Sequence, residues 1–225
     1  MRITFLGHAA VRLRIGAADV LIDPFLDDNP LAGAKAGDLA PTHVLLTHGH
    51  PDHVGDTVAL ARRTGATVVA AVEVAAWIGA QGVEDAVGIN MGGGIDLGFG
   101  RVSLHPAWHS SSLPDGSYGG MPGGLLIQAE GRSVYHAGDT ALFSDLALVG
   151  RRGLDLAFVP IGDHFTMGPD DALEAVRLLA PKRVVPVHYD TFPPIRQDAH
   201  AFAVRVERET DALAQVLAPG DDLDL

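Results

Sequence analysis

The sequence predicts an α/β fold in which two similar halves, each a β-sheet covered by helices, pack face to face. Short apolar strands alternate with helical segments along all 225 residues. Each half contains two strands joined by a turn and closed by an aspartate, and a histidine follows each aspartate after 25 positions: Asp23 with His48, and Asp139 with His164. No linker or shift in composition divides the chain, so we expect one domain over residues 1–225.

The first half begins with apolar runs separated by turn residues. These runs predict strands at residues 3–6, 11–15, 19–22, 43–47 and 67–72. Apolar residues at helical spacing predict helices at residues 52–63 and 74–80, the first of them stopped by Gly65. The segments 27–41 and 88–100 are rich in Gly, Asp, Asn or Pro, and we expect loops and turns there.

The second half repeats the pattern after the loop 114–124. Its predicted strands span residues 101–104, 125–129, 133–136, 156–160 and 184–187. A helix is predicted over residues 169–180, because Pro169 suits a first helical turn and acidic side chains follow it. A final amphipathic helix over residues 198–217 and an acidic tail at 221–224 complete the prediction.

Composition narrows the class of protein. The chain is 47% hydrophobic, enough for a substantial core, and its apolar runs are too short to span a membrane. The N-terminus lacks the long apolar stretch of a signal peptide, so we expect a cytoplasmic protein. The net charge of −12 disfavours nucleic acid, although a small, even anionic, substrate stays open. The chain has no cysteine, which excludes disulfides and thiolate ligands.

A dense histidine motif follows the predicted strand 43–47. His48, His50, Asp52 and His53 lie within six positions. Side chains at i and i+2 of an extended segment point the same way, so His48 and His50 should project together, with Asp52 and His53 facing back from the turn into a helix. Imidazole and carboxylate groups suit zinc and similar ions, whereas burying so many polar groups without a metal would be costly. The motif predicts a metal site.

Three further candidates follow apolar strands at turns: His109, Asp139 and His188. A carboxylate can bridge two cations while histidines complete each coordination shell. The predicted ligand sets are His48, His50 and His109 for one ion and Asp52, His53 and His188 for the other, with Asp139 between them. Two cations roughly 3.5–4 Å apart would activate a shared water as a hydroxide near neutral pH.

The segment from His48 to His53 resembles the H-x-H-x-D-H signature of the metallo-β-lactamase fold superfamily, and His109, Asp139 and His188 follow in that family's order. The whole chain is similar to bacterial metal-dependent hydrolases related to the ascorbate-phosphate lactonases, notably in residues 186–189. The resemblance implies an αβ/βα sandwich, four layers in all, of two mixed β-sheets flanked by helices. It also implies a dinuclear site, with zinc expected and manganese, iron or nickel as alternatives.

Departures from better-known relatives narrow the expected activity. The chain lacks the second-site cysteine of common β-lactamases, and the segment after His188 is too short for the substrate domain of glyoxalase II. It also lacks an RNA-gripping insertion or a flavin domain. We expect a hydrolase of a small ester, lactone or phosphodiester, in which Asp52 binds metal and orients the bridging hydroxide or carries its proton to the leaving group. The alternatives are a mononuclear-iron oxygenase and a metal-bound, non-enzymatic binding protein. By analogy with relatives, a homo-oligomer is expected.

The remaining histidines divide by context. His8 follows a strand within a Gly-His-Ala stretch, and His164 follows Asp163 at a turn; both are candidates for binding substrate. His105 precedes a proline and is expected to be structural, with a role as ligand if the strand register differs. His136 is expected to pack in the sheet or to hydrogen-bond behind a ligand.

Overall fold

The computed structural model describes all 225 residues and contains two seven-stranded β-sheets. The first sheet has the spatial order β14 (Asp222–Asp224), β1 (Arg2–Gly7), β2 (Ala10–Ile15), β3 (Ala18–Ile22), β4 (His43–Leu45), β5 (Thr67–Ala71) and β6 (Ala86–Ile89). The second has the order β13 (Leu213–Ala214), β12 (Arg183–Val187), β11 (Leu156–Pro160), β10 (Arg132–His136), β9 (Gly123–Ala129), β8 (Arg101–Pro106) and β7 (Gly94–Asp96).

The two sheets share one plan. In the first, the strands from β14 to β3 pair antiparallel and those from β3 to β6 pair parallel. In the second, β7 to β10 are antiparallel and β10 to β13 parallel. Loops that follow parallel strands gather at one edge of a sheet, which is where α/β folds place their sites. The predicted similarity of the two halves is confirmed in this topology.

Six α-helices flank the sheets. They are α1 (Pro51–Val54), α2 (Thr57–Thr64), α3 (Val72–Ala80), α4 (Leu146–Gly150), α5 (Pro169–Leu179) and α6 (Ala199–Glu209). The helices α2 and α3 pack on the first sheet, while α5 and α6 pack on the second and α4 packs on α5. None of these helices combines the length and the apolar character needed to cross a membrane.

A core of 40 buried apolar residues draws on both sheets, for example Leu13 and Val69 from the first and Leu125 and Phe158 from the second. A second cluster of 20 buried residues joins α4, α5 and α6 to the other face of the second sheet. Phe158 is fully buried, and truncating a side chain of this kind to alanine costs about 3–5 kcal/mol. The packed strands thus form a rigid support for the loops at their ends.

The predicted helix over residues 52–63 is interrupted, and that prediction was wrong in its continuity. Gly55 has φ of +43°, and a Cβ built there would lie 2.4 Å from the carbonyl oxygen of Pro24. The helix breaks because this close approach needs glycine in a conformation that no helix contains. Asp56 then accepts hydrogen bonds from the backbone N–H groups of Leu26 and Asp27, at 2.9 and 3.0 Å.

Strand pairing overturns three further expectations. The segment 88–100, expected to be only turns, contains the end of β6 and all of β7. The helix expected to reach residue 217 ends at Glu209, and Leu213 pairs instead with Arg183. The expected acidic tail is the strand β14, in which Asp222 forms an ion pair with Arg2. Such edge strands are too short to show the alternation of apolar and polar residues that marks a strand. They form because a neighbouring strand of the sheet is available for pairing.

Candidate metal centre

The histidine motif lies where β4 leaves the first sheet. His48 is 1% exposed, and its Nε2 lies 2.9 Å from Nδ1 of His50. Pro51 begins α1, which places Asp52 and His53 in the first turn of that helix. The change from extended to helical backbone within four residues turns these two side chains back toward His48 and His50.

The first predicted ligand set is brought together. The ligand nitrogens of His48, His50 and His109 lie within 4.8 Å of one another. His109 comes from the segment after β8. The next residue, Ser110, has its Oγ 3.3 Å from Nε2 of His50. Three imidazoles from two separate loops therefore face one point, as in sites for zinc and related ions.

The second predicted set also converges, with one addition. Asp52, His53 and His188 offer ligand atoms within 4.8 Å of one another, and His8 belongs to the same group. His188 follows β12 with φ of +56°, and its backbone N–H donates to the carbonyl of His8 at 2.8 Å. This bond fixes the turn that directs the His188 imidazole toward the first sheet.

Asp139 lies between the two sets. Its Oδ1 is 3.3 Å from Nε2 of His53, and its Oδ2 is 3.1 Å from Nε2 of His188 and 3.5 Å from Nε2 of His109. One carboxylate thus contacts histidines of both groups. Its Oδ2 alone faces one histidine of each set, which suits a carboxylate that would bridge two cations.

Several of these atoms are buried without a hydrogen-bond partner. They are Nε2 of His53, both ring nitrogens of His188 and Oδ1 of Asp139. Leaving buried polar atoms unpaired costs about 1–3 kcal/mol each, so a cluster of them that points to one place needs an explanation. Nitrogen and carboxylate donors in this arrangement fit divalent first-row cations.

Asp23 is a site residue that the sequence did not identify. It is fully buried at the end of β3, and it accepts hydrogen bonds from the backbone N–H and the hydroxyl of Thr47 at 2.8 and 2.6 Å. Its Oδ2 also lies 2.8 Å from Nδ1 of His53. A carboxylate can only accept there, so it holds the Nδ1 proton and leaves Nε2 of His53, which faces Asp139, as the nitrogen that would bind a cation. The one feature of the sequence that singled out Asp23 was its position directly after two predicted strands joined by a turn, which Asp139 shares in the second half.

The charges of the site are strongly shifted in the metal-free protein. Burial alone would raise the pKa of Asp139, but the neighbouring His188 and His53 hold it well below its ordinary value. Burial opposes charge on His188 as well, yet Asp139 raises the pKa of His188 to about 9. Burial similarly opposes charge on His53, yet the carboxylates of Asp139 and Asp23 raise its pKa well above the ordinary value. A cation bound at these nitrogens would have to compete with their protons.

His8 contacts the second group directly. Its Nε2 lies 3.1 Å from Oδ2 of Asp52 and its Nδ1 lies 2.9 Å from the hydroxyl of Thr191. Burial lowers the pKa of His8 to about 4, with a further contribution from His188. A neutral imidazole has one donor and one acceptor nitrogen, so it can connect these two side chains. Its role in binding substrate stays a prediction.

The other histidines lie outside the ligand groups. His164 is exposed beside Phe165, and its predicted role toward substrate stays a prediction. His105 lies on β8 with Nε2 3.1 Å from the hydroxyl of Ser103, in keeping with a structural role. His136 is buried; its Nε2 donates to the carbonyl of Ala9 at 2.9 Å, and its Nδ1 accepts from the backbone of the residue before Asp139.

The chain is similar in sequence to known proteins of one family. A family model described as the beta-lactamase superfamily domain matches residues 18–189. The chain is 51% identical to a UPF0173 metal-dependent hydrolase of Thermus thermophilus, covering 100% of this chain and 99% of that protein. It is 48% identical to a UPF0173 metal-dependent hydrolase of Shouchella clausii, over the whole of both chains.

The fold agrees with a solved structure. Igni18, a metallo hydrolase from the archaeon Ignicoccus hospitalis, superposes with a TM-score of 0.90 at 37% identity, covering 99% of this chain and 97% of that one. The expected sandwich of two mixed sheets flanked by helices is thereby confirmed. Together, these similarities show that the chain belongs to the β-lactamase superfamily and, within it, to the UPF0173 metal-dependent hydrolases.

Proposed function

We propose that this protein hydrolyses a small ester, lactone or phosphodiester with two divalent cations, for which zinc is the first candidate. The observation that carries the proposal is the position of Asp139 between two groups of donors, with unpaired buried atoms facing it. Two cations held by these groups would lower the pKa of a bound water and would stabilise negative charge on the substrate oxygen.

Each group of residues has a distinct part in this proposal. His48, His50 and His109 would hold one cation, while Asp52, His53 and His188 would hold the other. Asp23 fixes the tautomer of His53 through the contact to Nδ1. The positions of the ligands therefore depend on residues of both sheets.

Asp52 differs from Asp139 in its access to solvent. The side chain of Asp52 is 29% exposed, whereas that of Asp139 is 4% exposed. The contact from Nε2 of His8 to Oδ2 of Asp52 holds the carboxylate at the open side of the cluster. Asp52 can thus orient the attacking water and carry its proton to the leaving group, which a fully buried carboxylate could not do.

The two alternatives make different demands. A mononuclear-iron oxygenase needs only one occupied set and consumes oxygen, and a non-enzymatic metal protein needs no open position for water. The convergence of both donor sets, with Asp52 partly exposed, favours hydrolysis over either alternative.

The test combines metal content and turnover on one sample. We expect two divalent ions per chain and hydrolysis of at least one substrate among simple esters, lactones and phosphodiesters. Asp139→Asn should lower kcat by about 100-fold or more and lose bound metal, because an amide cannot replace a bridging carboxylate. His105→Ala is the matched control, since His105 lies outside both donor sets, and should retain both metal and turnover. Full activity in Asp139→Asn, or one iron per chain with oxygen consumption, would overturn the proposal.

A further inference from the structure

We propose that the substrate is uncharged and apolar in the part that lies away from the cleaved bond. This inference rests on the hydrolytic function proposed above and narrows its substrate class. It favours neutral esters and lactones over phosphorylated or carboxylate-bearing compounds, in contrast to the anionic substrate that the net charge leaves open. Three features of the loops around the metal centre carry it.

The first feature is the scarcity of cationic side chains in the loops that carry the ligands. The segments 46–56, 107–122, 137–145 and 161–168 contain no lysine and no arginine, and the loop 188–198 contains one, the exposed Arg196. Proteins recognise phosphate and carboxylate groups mainly through arginine and lysine. The proposed cations could neutralise the reacting group itself, but Arg196 is the one cationic side chain of these loops that could pair with a second negative charge.

The same loops carry negative charge. Asp115, Asp163 and Asp190 are exposed on three of them. Over the whole chain the acidic residues also outnumber the basic ones, with a formal net charge of −12. An anionic group at the far end of a substrate would meet repulsion from these side chains, which outnumber the single arginine.

The second feature is a pair of phenylalanine rings beside the metal centre. The rings of Phe25 and Phe192 lie 5.7 and 5.6 Å from the ring of His8, both edge-on, and 6.3 Å from each other. His8 in turn contacts Asp52. The side chain that holds Asp52 is therefore flanked by two aromatic rings, and apolar surroundings of this kind next to the second donor group suit an apolar substituent.

The third feature is Trp108, which directly precedes His109. Its side chain is 69% exposed, but its backbone is fixed to the loop that carries Asp139. The backbone N–H of Trp108 donates to the hydroxyl of Thr140 at 3.0 Å. The backbone N–H of Ala141 donates to the Trp108 carbonyl, also at 3.0 Å. A large aromatic side chain held in solvent on a rigid backbone can cover an apolar ligand at little cost in conformational entropy. Trp108 is thus assigned as a specificity residue.

Binding can be measured without turnover. The probes are 4-methylbenzohydroxamate and 4-carboxybenzohydroxamate, which share a metal-binding group and differ only in a neutral or an anionic tail. Calorimetry on the metal-loaded protein should show the methyl compound binding at least ~10-fold more tightly. Trp108→Ala should weaken the methyl compound by about 5-fold and leave the carboxylate compound unchanged. Val204→Ala, an exposed apolar position on α6, is the control and should change neither.

The results separate this inference from the proposed function. Equal or tighter binding of the carboxylate compound overturns the inference, even if esters are hydrolysed. An unchanged preference in Trp108→Ala, together with an altered molecular mass in solution, shows that Trp108 lies between copies of the chain and overturns its assignment. The 4-nitrophenyl esters of the two matching acids complete the test. If neither ester is cleaved while the hydroxamate preference holds, the proposed hydrolysis fails and the preference stands as a property of the site.

Discussion

The contact between Asp23 and His53 gives the sharpest prediction about this metal centre. In Asp23→Asn, the amide can still accept from the Thr47 N–H, but its NH₂ then faces Nδ1 of His53, which is 2.8 Å away in the native protein. Two donors cannot face each other, so His53 must shift its proton to Nε2 to accept at Nδ1. A protonated Nε2 cannot bind a metal.

The expected effect on metal binding follows from this change of tautomer. Losing the hydrogen-bond partner behind a metal ligand typically weakens metal affinity by about 10–100-fold, or about 1.4–2.8 kcal/mol. The free energy of unfolding of the metal-free protein should fall by about 2 kcal/mol, because hydrogen bonds to a buried carboxylate are lost. Competition with a chromophoric chelator measures the affinity, and urea unfolding measures the stability.

A matched variant separates stability from metal binding. Asp155 is 7% exposed and accepts hydrogen bonds from the Ser133 N–H and from Nζ of Lys182, at 2.9 and 2.8 Å. It lies at the opposite end of β11 from the metal centre. Asp155→Asn should therefore lower stability but leave metal affinity unchanged. If Asp23→Asn is destabilised in the same way and still binds both ions with native affinity, the tautomer argument is refuted.

Three further predictions address the support of the site, its protons and its edge strand. Gly138→Ala should lower the free energy of unfolding by about 2–3 kcal/mol in urea, since φ is +63° and the new Cβ would lie 2.9 Å from Cβ of Thr47. Because Asp139 raises the pKa of His188 to about 9, the imidazole must lose a proton to bind metal. The pKa of His53 is raised as well, so apparent zinc affinity should rise by up to about 100-fold per pH unit while both imidazoles are protonated, and less steeply above pH 9, as chelator competition can measure. Leu223→Ala should cost about 2 kcal/mol in urea unfolding, since Leu223 is 7% exposed and belongs to the main core.

Each of these predictions has a result that contradicts it. Gly131 also has a left-handed φ, +71°, but nothing lies near its Cβ position, so Gly131→Ala isolates the clash from the backbone strain. Equal losses in the two glycine variants would show that no clash occurs at Gly138. Zinc affinity that does not vary with pH would show that binding displaces no proton from His53 or His188. A silent Leu223→Ala would show that burial of this side chain contributes nothing to stability.

The sequence was sufficient to predict the candidate ligands that the structure brings together, because their signal is local. His48, His50, Asp52 and His53 lie on one short segment, and Asp139 ends another apolar strand. The prediction of a metal site depends on these residue types, so it does not change when the predicted bounds of a strand or helix are wrong by a few residues. Their assembly around Asp139 then follows from parallel strands that end at one edge.

Contacts between distant segments could not be predicted in this way. The function of Asp23 depends on β3 lying beside β4, which places its carboxylate next to Thr47. The break at Gly55 depends on its approach to Pro24, which apolar spacing does not record. The end of α6 at Glu209 depends on a neighbouring strand that is available for pairing. In each case a tertiary contact overrides a local preference.

The pairing of β1 with β14 has a consequence for synthesis of the protein. Ile3 pairs with Leu223 and Arg2 with Asp224, so the outermost strand of the first sheet comes from the other end of the chain. A nascent chain therefore presents the open edge of β1 until β14 has been synthesised, and edge strands of this kind can pair with other chains. The N-terminal sheet can be completed only after residues 222–224 have left the ribosome, so its first strand must wait for almost all of the sequence between the two strands.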